Sequence, residues 1–303
     1  MHPSADVELR TADRTSLRAT VWETDRSKPI GVALLAHAMM ARRSSFDRPK
    51  GKGLAPFLAT AGFRVITFDF RGHGESGKPA AKGGSWSYDD LVMYDLPTAV
   101  GYACDQAGAL PLVFVGHSLG AHTGLAALGT GLIRVDAFVG FGTNLWLPGF
   151  DGNPTRATFK MALMRALDAY CTRFSYLPAR SARFASDDES SVYFRDLCRF
   201  ALSGKWTNRD GSVDYLKGLA NITIPSLSIA SRGDRLEAIP ECCARFAMRL
   251  GRPAEFLCIE SSDDGGPPPT HMGMITAGKL DAVYDEVVTW MARMASCRNS
   301  ITS

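Results

Sequence analysis

Pro111-Leu112-Val113-Phe114-Val115-Gly116-His117-Ser118-Leu119-Gly120-Ala121-His122 reads as a buried strand, a very tight turn and the start of a helix. The apolar, β-branched and aromatic run from Leu112 to Val115 predicts the strand, and the helix-favouring residues 121–128 predict the helix. Gly116 and Gly120 flank a turn sharp enough that side chains there would collide with the strand and helix on either side. Ser118 sits at the apex, its hydroxyl raised above the carboxyl edge of a sheet. The helix behind it offers unpaired N–H groups and a positive dipole end to any oxyanion formed there.

Working outward, the rest of the chain supplies the other strands. Residues 7–22 alternate around Asp13-Arg14-Thr15, the pattern of an antiparallel hairpin at a sheet edge. Residues 30–36 form a continuous apolar run, expected of a strand buried on both faces. A helix over 53–61 closed by Gly62, a strand over 65–70 and a helical pattern over 88–107 with a fresh start at Pro97 come next. After the serine turn come strands at 135–141, 224–230 and 254–259, with helices at 240–250 and 282–295. Strands separated by helical patterns imply βαβ units and a mainly parallel sheet.

Between Asn144 and Leu219 the rhythm changes. Aromatic residues from Trp146 to Tyr215, Phe184 among them, stand among arginines and prolines without a strand pattern. This predicts a largely helical insertion over the carboxyl edge of the sheet, so residues 1–143 and 220–303 make the core and 144–219 a cap. Most of those aromatics are expected to pack the insertion itself, and a few to line an apolar acyl pocket.

A serine hydroxyl attacks well only when a base takes its proton, and an imidazole base needs a carboxylate to fix its tautomer. Asp234 follows the strand at 224–230, and His271 follows the last strand. Both therefore fall on loops at the same carboxyl edge as Ser118, where open α/β sheets bind ligands. Asp263 and Asp264, near His271 in sequence, compete for the role of the acid, but their glycine- and proline-rich loop reads as solvated surface. His37, His73, His117 and His122 read as local packing or hydrogen-bonding residues, and His2 as part of a frayed end. No histidine, cysteine or carboxylate set shows metal-ligand spacing.

The order Ser118, Asp234, His271 and the loop positions resemble the α/β-hydrolase superfamily over nearly the whole chain. Asp69-x-Arg71-Gly72-x-Gly74-x-Ser76 matches that family's marker segment. Trp86-Ser87-Tyr88 and Tyr94-Asp95-Leu96-Pro97 are similar to a bacterial subgroup of predicted serine hydrolases with a helical cap. The resemblance implies an α/β-hydrolase fold: a central sheet, mainly parallel, with the N-terminal hairpin antiparallel, helices on both faces and the cap. It carries Ser118 over as nucleophile, His271 as base and Asp234 as its orienting acid. The backbone N–H of Leu119 becomes one oxyanion donor. The second falls on the loop after the third strand, at Met39 or at Ala38, where the family's usual His-Gly is His37-Ala38. The implied activity is cleavage of carboxylic esters or thioesters through an acyl-enzyme. Acyl transfer on the same residues, or ligand binding by a hydrolase fold without catalysis, are the other readings.

The totals set the remaining expectations. With 46% hydrophobic and 21% charged residues in 303, the chain can bury a sizeable core. A net charge of +3 without a basic run interleaved with aromatics argues against nucleic acid. No apolar run reaches the ~18 residues that span a bilayer, and the polar N-terminal residues do not resemble a secretory signal. Seven cysteines without a C-x-x-C spacing are expected to be reduced thiols in a cytoplasmic protein. A small-molecule acyl substrate, with neither cofactor nor metal, is the expected partner; oligomeric state is not readable.

Overall fold

Along Gly31–Ala36 every residue is buried, but alternate side chains enter different cores. Val32, Leu34 and Ala36 join one apolar cluster, and Ala33 and Leu35 the other. The same period-two division sends Leu112 and Phe114 one way, Val113 and Val115 the other. A strand with apolar residues on both faces needs cover on both faces, so helices flank the sheet.

The computed structural model describes residues 5–183 and 185–299, the side chains of 295–299 excepted. His2 and Phe184, and the side chain of Cys297, lie outside them. The strands are β1 (Ala5–Arg10), β2 (Ser16–Trp22), β3 (Gly31–Ala36), β4 (Phe63–Phe68), β5 (Leu112–His117), β6 (Ala137–Phe141), β7 (Tyr176–Leu177), β8 (Glu189–Ser190), β9 (Ser226–Ser231) and β10 (Glu255–Ile259). Eight of them form one sheet in the order β1-β2-β4-β3-β5-β6-β9-β10. β1 and β2 run antiparallel to each other and β2 antiparallel to β4; the remaining pairs are parallel. The helices, in chain order, are α1 (Leu54–Ala61), α2 (Tyr88–Asp90), α3 (Leu96–Ala107), α4 (Leu119–Gly129), α5 (Pro154–Arg173), α6 (Ser191–Ser203), α7 (Tyr215–Gly218), α8 (Pro240–Ala247), α9 (Gly273–Thr276) and α10 (Asp281–Asn299). Among the described residues no helix is long and apolar enough to cross a membrane. None of the six cysteines with described side chains is in a disulfide.

Most boundaries shift by a few residues, and two of the differences have a clear physical cause. The strand expected to run to residue 70 ends at Phe68, because Asp69 turns inward to accept the Arg43 backbone N–H at 2.6 Å and its guanidinium. The Phe70 N–H goes to His37 Nε2 at 3.0 Å rather than to a neighbouring strand. The helical pattern of 88–107 is broken by a wide π turn over Leu91–Asp95. Pro97, in the first turn of α3, has no N–H to donate backwards, so the helix restarts there.

The marker segment around Asp69 holds the scaffold. Arg71 binds the Asp95 carboxylate at 2.8 Å and Asp13 at 2.7 Å. Burial raises the Asp95 carboxyl to about 7 against the pull of that guanidinium. Ser76 Oγ donates to the Asp69 carbonyl and accepts the Arg18 N–H.

Between β6 and β9 the chain builds α5, α6 and α7, with the small antiparallel pair β7–β8, which sequence patterning did not reveal. Strands of two residues are too short to show alternation. β8 is tied to the core by a buried pair: Glu189 meets His73 Nε2 at 3.2 Å and the Trp86 indole N–H at 2.9 Å. Burial alone would discharge His73; the Glu189 carboxylate reverses that and raises its pKa.

Gly120 shows how little room the serine turn leaves. A Cβ there would lie 2.1 Å from the Ala36 carbonyl oxygen, and one at Gly116 would lie 2.4 Å from Ala121 Cα. Gly120→Ala therefore must displace backbone, not a flexible side chain. We expect it to cost about 1–3 kcal/mol or more by chemical denaturation. A loss within about 0.5 kcal/mol, the range of ordinary surface substitutions, would contradict the close approach.

Candidate active site

The site begins where β5 runs out. Ser118 follows its last residue and precedes the first of α4, at φ 52° and ψ −110°. That region costs a non-glycine residue energy and persists only where its surroundings fix it. Here the Ser118 N–H donates to the Phe141 carbonyl of β6 at 2.9 Å, and its carbonyl accepts from Ala121 and His122, both at 3.0 Å. The Gly120 N–H donates to the His37 carbonyl at 3.1 Å, which locks the turn to the loop after β3.

Asp234 lies on the loop after β9 and is 2% exposed. One carboxylate oxygen accepts the Glu237 N–H at 2.9 Å; the other accepts Ala238 N–H at 2.9 Å and meets His271 Nδ1 at 2.6 Å. Burial pushes this carboxyl up, but the imidazole and the amide donors outweigh it and hold it below the usual carboxylate value. With Nδ1–H given to Asp234, the His271 lone pair is on Nε2. The imidazole rests against Gly142, where a Cβ would come within 2.8 Å of its Cε1. Gly142 directly follows the Phe141 that receives the Ser118 N–H. The adjacent ends of β5 and β6 thus carry the serine and the resting place of the histidine. Among the described residues no hydrogen bond joins the Ser118 hydroxyl to His271; such bonds are often long without substrate and tighten in the Michaelis complex.

Each remaining described histidine has a local partner. His117, fully buried and lowered to about 3 by burial and the neighbouring His271, is neutral. Its Nε2–H donates to the His271 carbonyl at 3.1 Å, fixing the backbone of that residue. His37 is buried and held well below its ordinary value by burial and by His73. Its Nε2 accepts from Phe70 N–H, so Nδ1–H donates to the Ala38 carbonyl at 2.7 Å. His122, lowered to about 3 by burial, meets the Tyr88 hydroxyl through Nδ1 at 3.0 Å. The competing acids are elsewhere. Asp264 pairs with Lys279 at 2.6 Å, and Asp263 accepts the Ala282 N–H in the first turn of α10.

Ser118, Met39 and His122 open onto a cavity of about 390 Å³. Its walls come from α5 (Leu163, Met164, Leu167) and α6 (Phe194, Leu197, Phe200). Of the insertion's aromatics, Trp146, Tyr193, Phe194 and Phe200 line it. Trp206 and Tyr215 instead pack around Tyr88, and Phe159 and Phe174 are exposed. The Leu119 N–H, first in α4, has no intrahelical acceptor. Ala38 is buried outside the cavity lining, whereas Met39 is part of it.

Sequence reasoning missed Glu237. It lines the cavity, and its carbonyl accepts from the Asn144 amide at 2.9 Å and the Trp146 indole at 3.0 Å. Burial and the adjacent Asp234 charge raise its carboxyl. Its place three residues after Asp234 was the available signal.

The family model described as "alpha/beta hydrolase fold" matches residues 34–247. Human lipase member N is 28% identical over 141 residues, covering 43% of this chain and 35% of its own length. Human lysosomal acid lipase/cholesteryl ester hydrolase is 31% identical over 106 residues, 33% of this chain and 27% of its own. The match thus spans about a third of these curated relatives. Among solved structures, a Penicillium sp. sh18 alpha/beta hydrolase superposes with TM-score 0.66 at 14% identity, covering 96% of this chain and 99% of that one. Paleococcus ferrophilus monoacylglycerol lipase gives TM-score 0.62 at 17% identity, covering 92% and 99%.

Proposed function

We propose that this chain, which belongs to the α/β-hydrolase fold family, is a serine hydrolase that cleaves carboxylic esters or thioesters with apolar acyl groups. The observation that carries this reading is the buried His271–Asp234 pair beside the strained Ser118 turn, at the mouth of an apolar cavity. The lipase names of the curated relatives support esters as the substrate class.

In this reading His271 Nε2 takes the Ser118 proton as Oγ attacks the acyl carbon. Asp234 steadies the imidazolium that results. The Leu119 and Met39 amides receive the oxyanion; Met39 is preferred to Ala38 because it lines the cavity. Collapse expels the alcohol or thiol, protonated by His271, and leaves an acyl-Ser118. Water activated by the same imidazole then releases the acid and restores the serine. Acyl transfer would divert that ester to an alcohol or amine, and product analysis with such acceptors separates the two. Residues 144–219 act in this proposal as the cap, walling the acyl cavity through α5 and α6. The reduced-thiol reading of the cysteines supports a cytoplasmic location.

A p-nitrophenyl ester chain-length series tests the assignment. Each methylene that enters the cavity contributes up to ~0.8 kcal/mol, so kcat/KM should rise by up to roughly fourfold per carbon. The rise should end, and reverse, once the chain outgrows the cavity. Activity greatest on acetate and falling with every added carbon would remove the cavity as acyl site. Failure of a fluorophosphonate to label Ser118 would favour the non-catalytic binding protein.

A further inference from the structure

We propose that Asp187, on the segment between β7 and β8, is a positioning residue that aims the second oxyanion donor. It does so by clamping the loop that carries Met39. The inference rests on the reading of Met39 given above.

The loop after β3 contains a second strained residue, Met40, at φ 59°. A left-handed backbone at a non-glycine residue costs on the order of 1–3 kcal/mol and needs external support. The support comes from the insertion. The Met40 carbonyl accepts the N–H groups of both Ser186 and Asp187, each at 3.1 Å. Both Arg42 Nε and Nη2 donate to the two carboxylate oxygens of Asp187, and Nη2 also donates to the Ser186 carbonyl at 3.1 Å. The same carboxylate accepts the Gly74 N–H at 2.9 Å. The Asp187 side chain is 8% exposed and that of Arg42 32%, so the carboxylate is shielded and the two-point contact fixes its geometry.

These bonds close a ring: Met40 to the 186–187 backbone, Asp187 to Arg42, and Arg42 back along the chain to Met40. The ring grips the chain on the C-terminal side of the Met39 peptide. On the N-terminal side, His37 is held by its bonds to Phe70, Ala38 and Gly120. Between the two grips the Met39 N–H has one orientation. Without the distal grip Met40 can relax to the right-handed region and turn that N–H away. Asp187 does not line the cavity, so it acts through the loop and not on substrate.

Asp187→Ala, Arg42→Ala and the double variant test this, with active sites counted by fluorophosphonate titration. Loss of a whole oxyanion donor costs roughly 10²- to 10³-fold, and a misaimed one should cost less, roughly 10- to 100-fold in kcat per titrated site. KM should stay within about twofold, because the contact serves the transition state. The double variant should be no worse than the poorer single, as expected of one shared interaction. Asp187→Asn, which still accepts from Arg42 and Gly74, should recover part of the rate. Amide exchange over residues 38–41 should quicken in Asp187→Ala. Wild-type turnover with unchanged per-site kcat in Asp187→Ala, even if melting falls, overturns the clamp alone, as does unaltered exchange. A wild type with no Ser118-dependent turnover overturns the catalytic role together with the reading of the site.

Discussion

Ser118→Ala is expected to bring ester hydrolysis down to the buffer rate, a loss on the order of 10⁶-fold where the wild-type rate allows it to be measured. The expectation follows from what the residue lacks as much as from what it has. Its hydroxyl makes no hydrogen bond to another described residue and lines the cavity, so its removal takes no structural contact away. The backbone bonds that fix the turn involve the Ser118 N–H and carbonyl, which alanine keeps. Alanine also shares serine's difficulty at φ 52°, so strain is neither added nor relieved. Thermal unfolding should therefore stay within a degree or two of wild type, roughly the effect of less than 1 kcal/mol in a chain this long. Turnover and melting must be measured on the same preparation. Residual hydrolysis above about one-thousandth of wild type, with a normal melting curve, would mean that another nucleophile or a directly activated water does the chemistry.

Why this serine could be found without coordinates is a matter of range. The turn is specified by neighbours within six residues: Leu112 to Val115 make the strand, and Gly116 and Gly120 admit the close approach. Asp234 and His271 were legible for a related reason. A parallel sheet puts every loop that follows a strand at one edge, so chain order and strand ends locate them. That reasoning also set aside Asp263 and Asp264, which turn out to serve the start of α10 and Lys279. What stayed hidden depends on contacts far apart in sequence. Arg42 with Asp187, His73 with Glu189, and Glu237 with Asn144 and Trp146 join segments separated by 91 to 145 positions. No local pattern announces such pairs. The π turn before α3 lay within reach of the sequence, because Pro97 has no N–H with which to continue the helical bonding of the turn before it. The pair β7–β8 did not, since its two residues per strand carry no period.

Asp234→Asn is expected to reduce kcat on the order of 10³- to 10⁴-fold while KM changes little. The carboxylate is surrounded by donors: Glu237 N–H on one oxygen, Ala238 N–H and His271 Nδ1–H on the other. Asparagine has one oxygen for two such positions. If its NH₂ turns toward His271, two donors meet at the Ala238 and imidazole side. The imidazole can then satisfy itself by moving its proton to Nε2, which leaves no lone pair for the serine. If the NH₂ turns the other way it faces the Glu237 N–H, an unpaired buried contact that costs about 1–3 kcal/mol. The first arrangement destroys the base, and the second destabilises the loop that holds it. The rates of ester turnover and fluorophosphonate labelling should fall together, since both need Ser118 deprotonated. The carboxyl of Asp234 is held below the ordinary carboxylate value, so it stays ionised when the pH is lowered from 7 to 5. A fall in rate over that interval therefore cannot be assigned to protonation of Asp234, and the asparagine variant should show its deficit at neutral pH as well. Glu237 is the carboxylate placed beside Asp234, its backbone N–H already bonded to it. A variant within tenfold of wild type would point to it, and Asp234→Asn combined with Glu237→Gln would then have to lose what the single change kept.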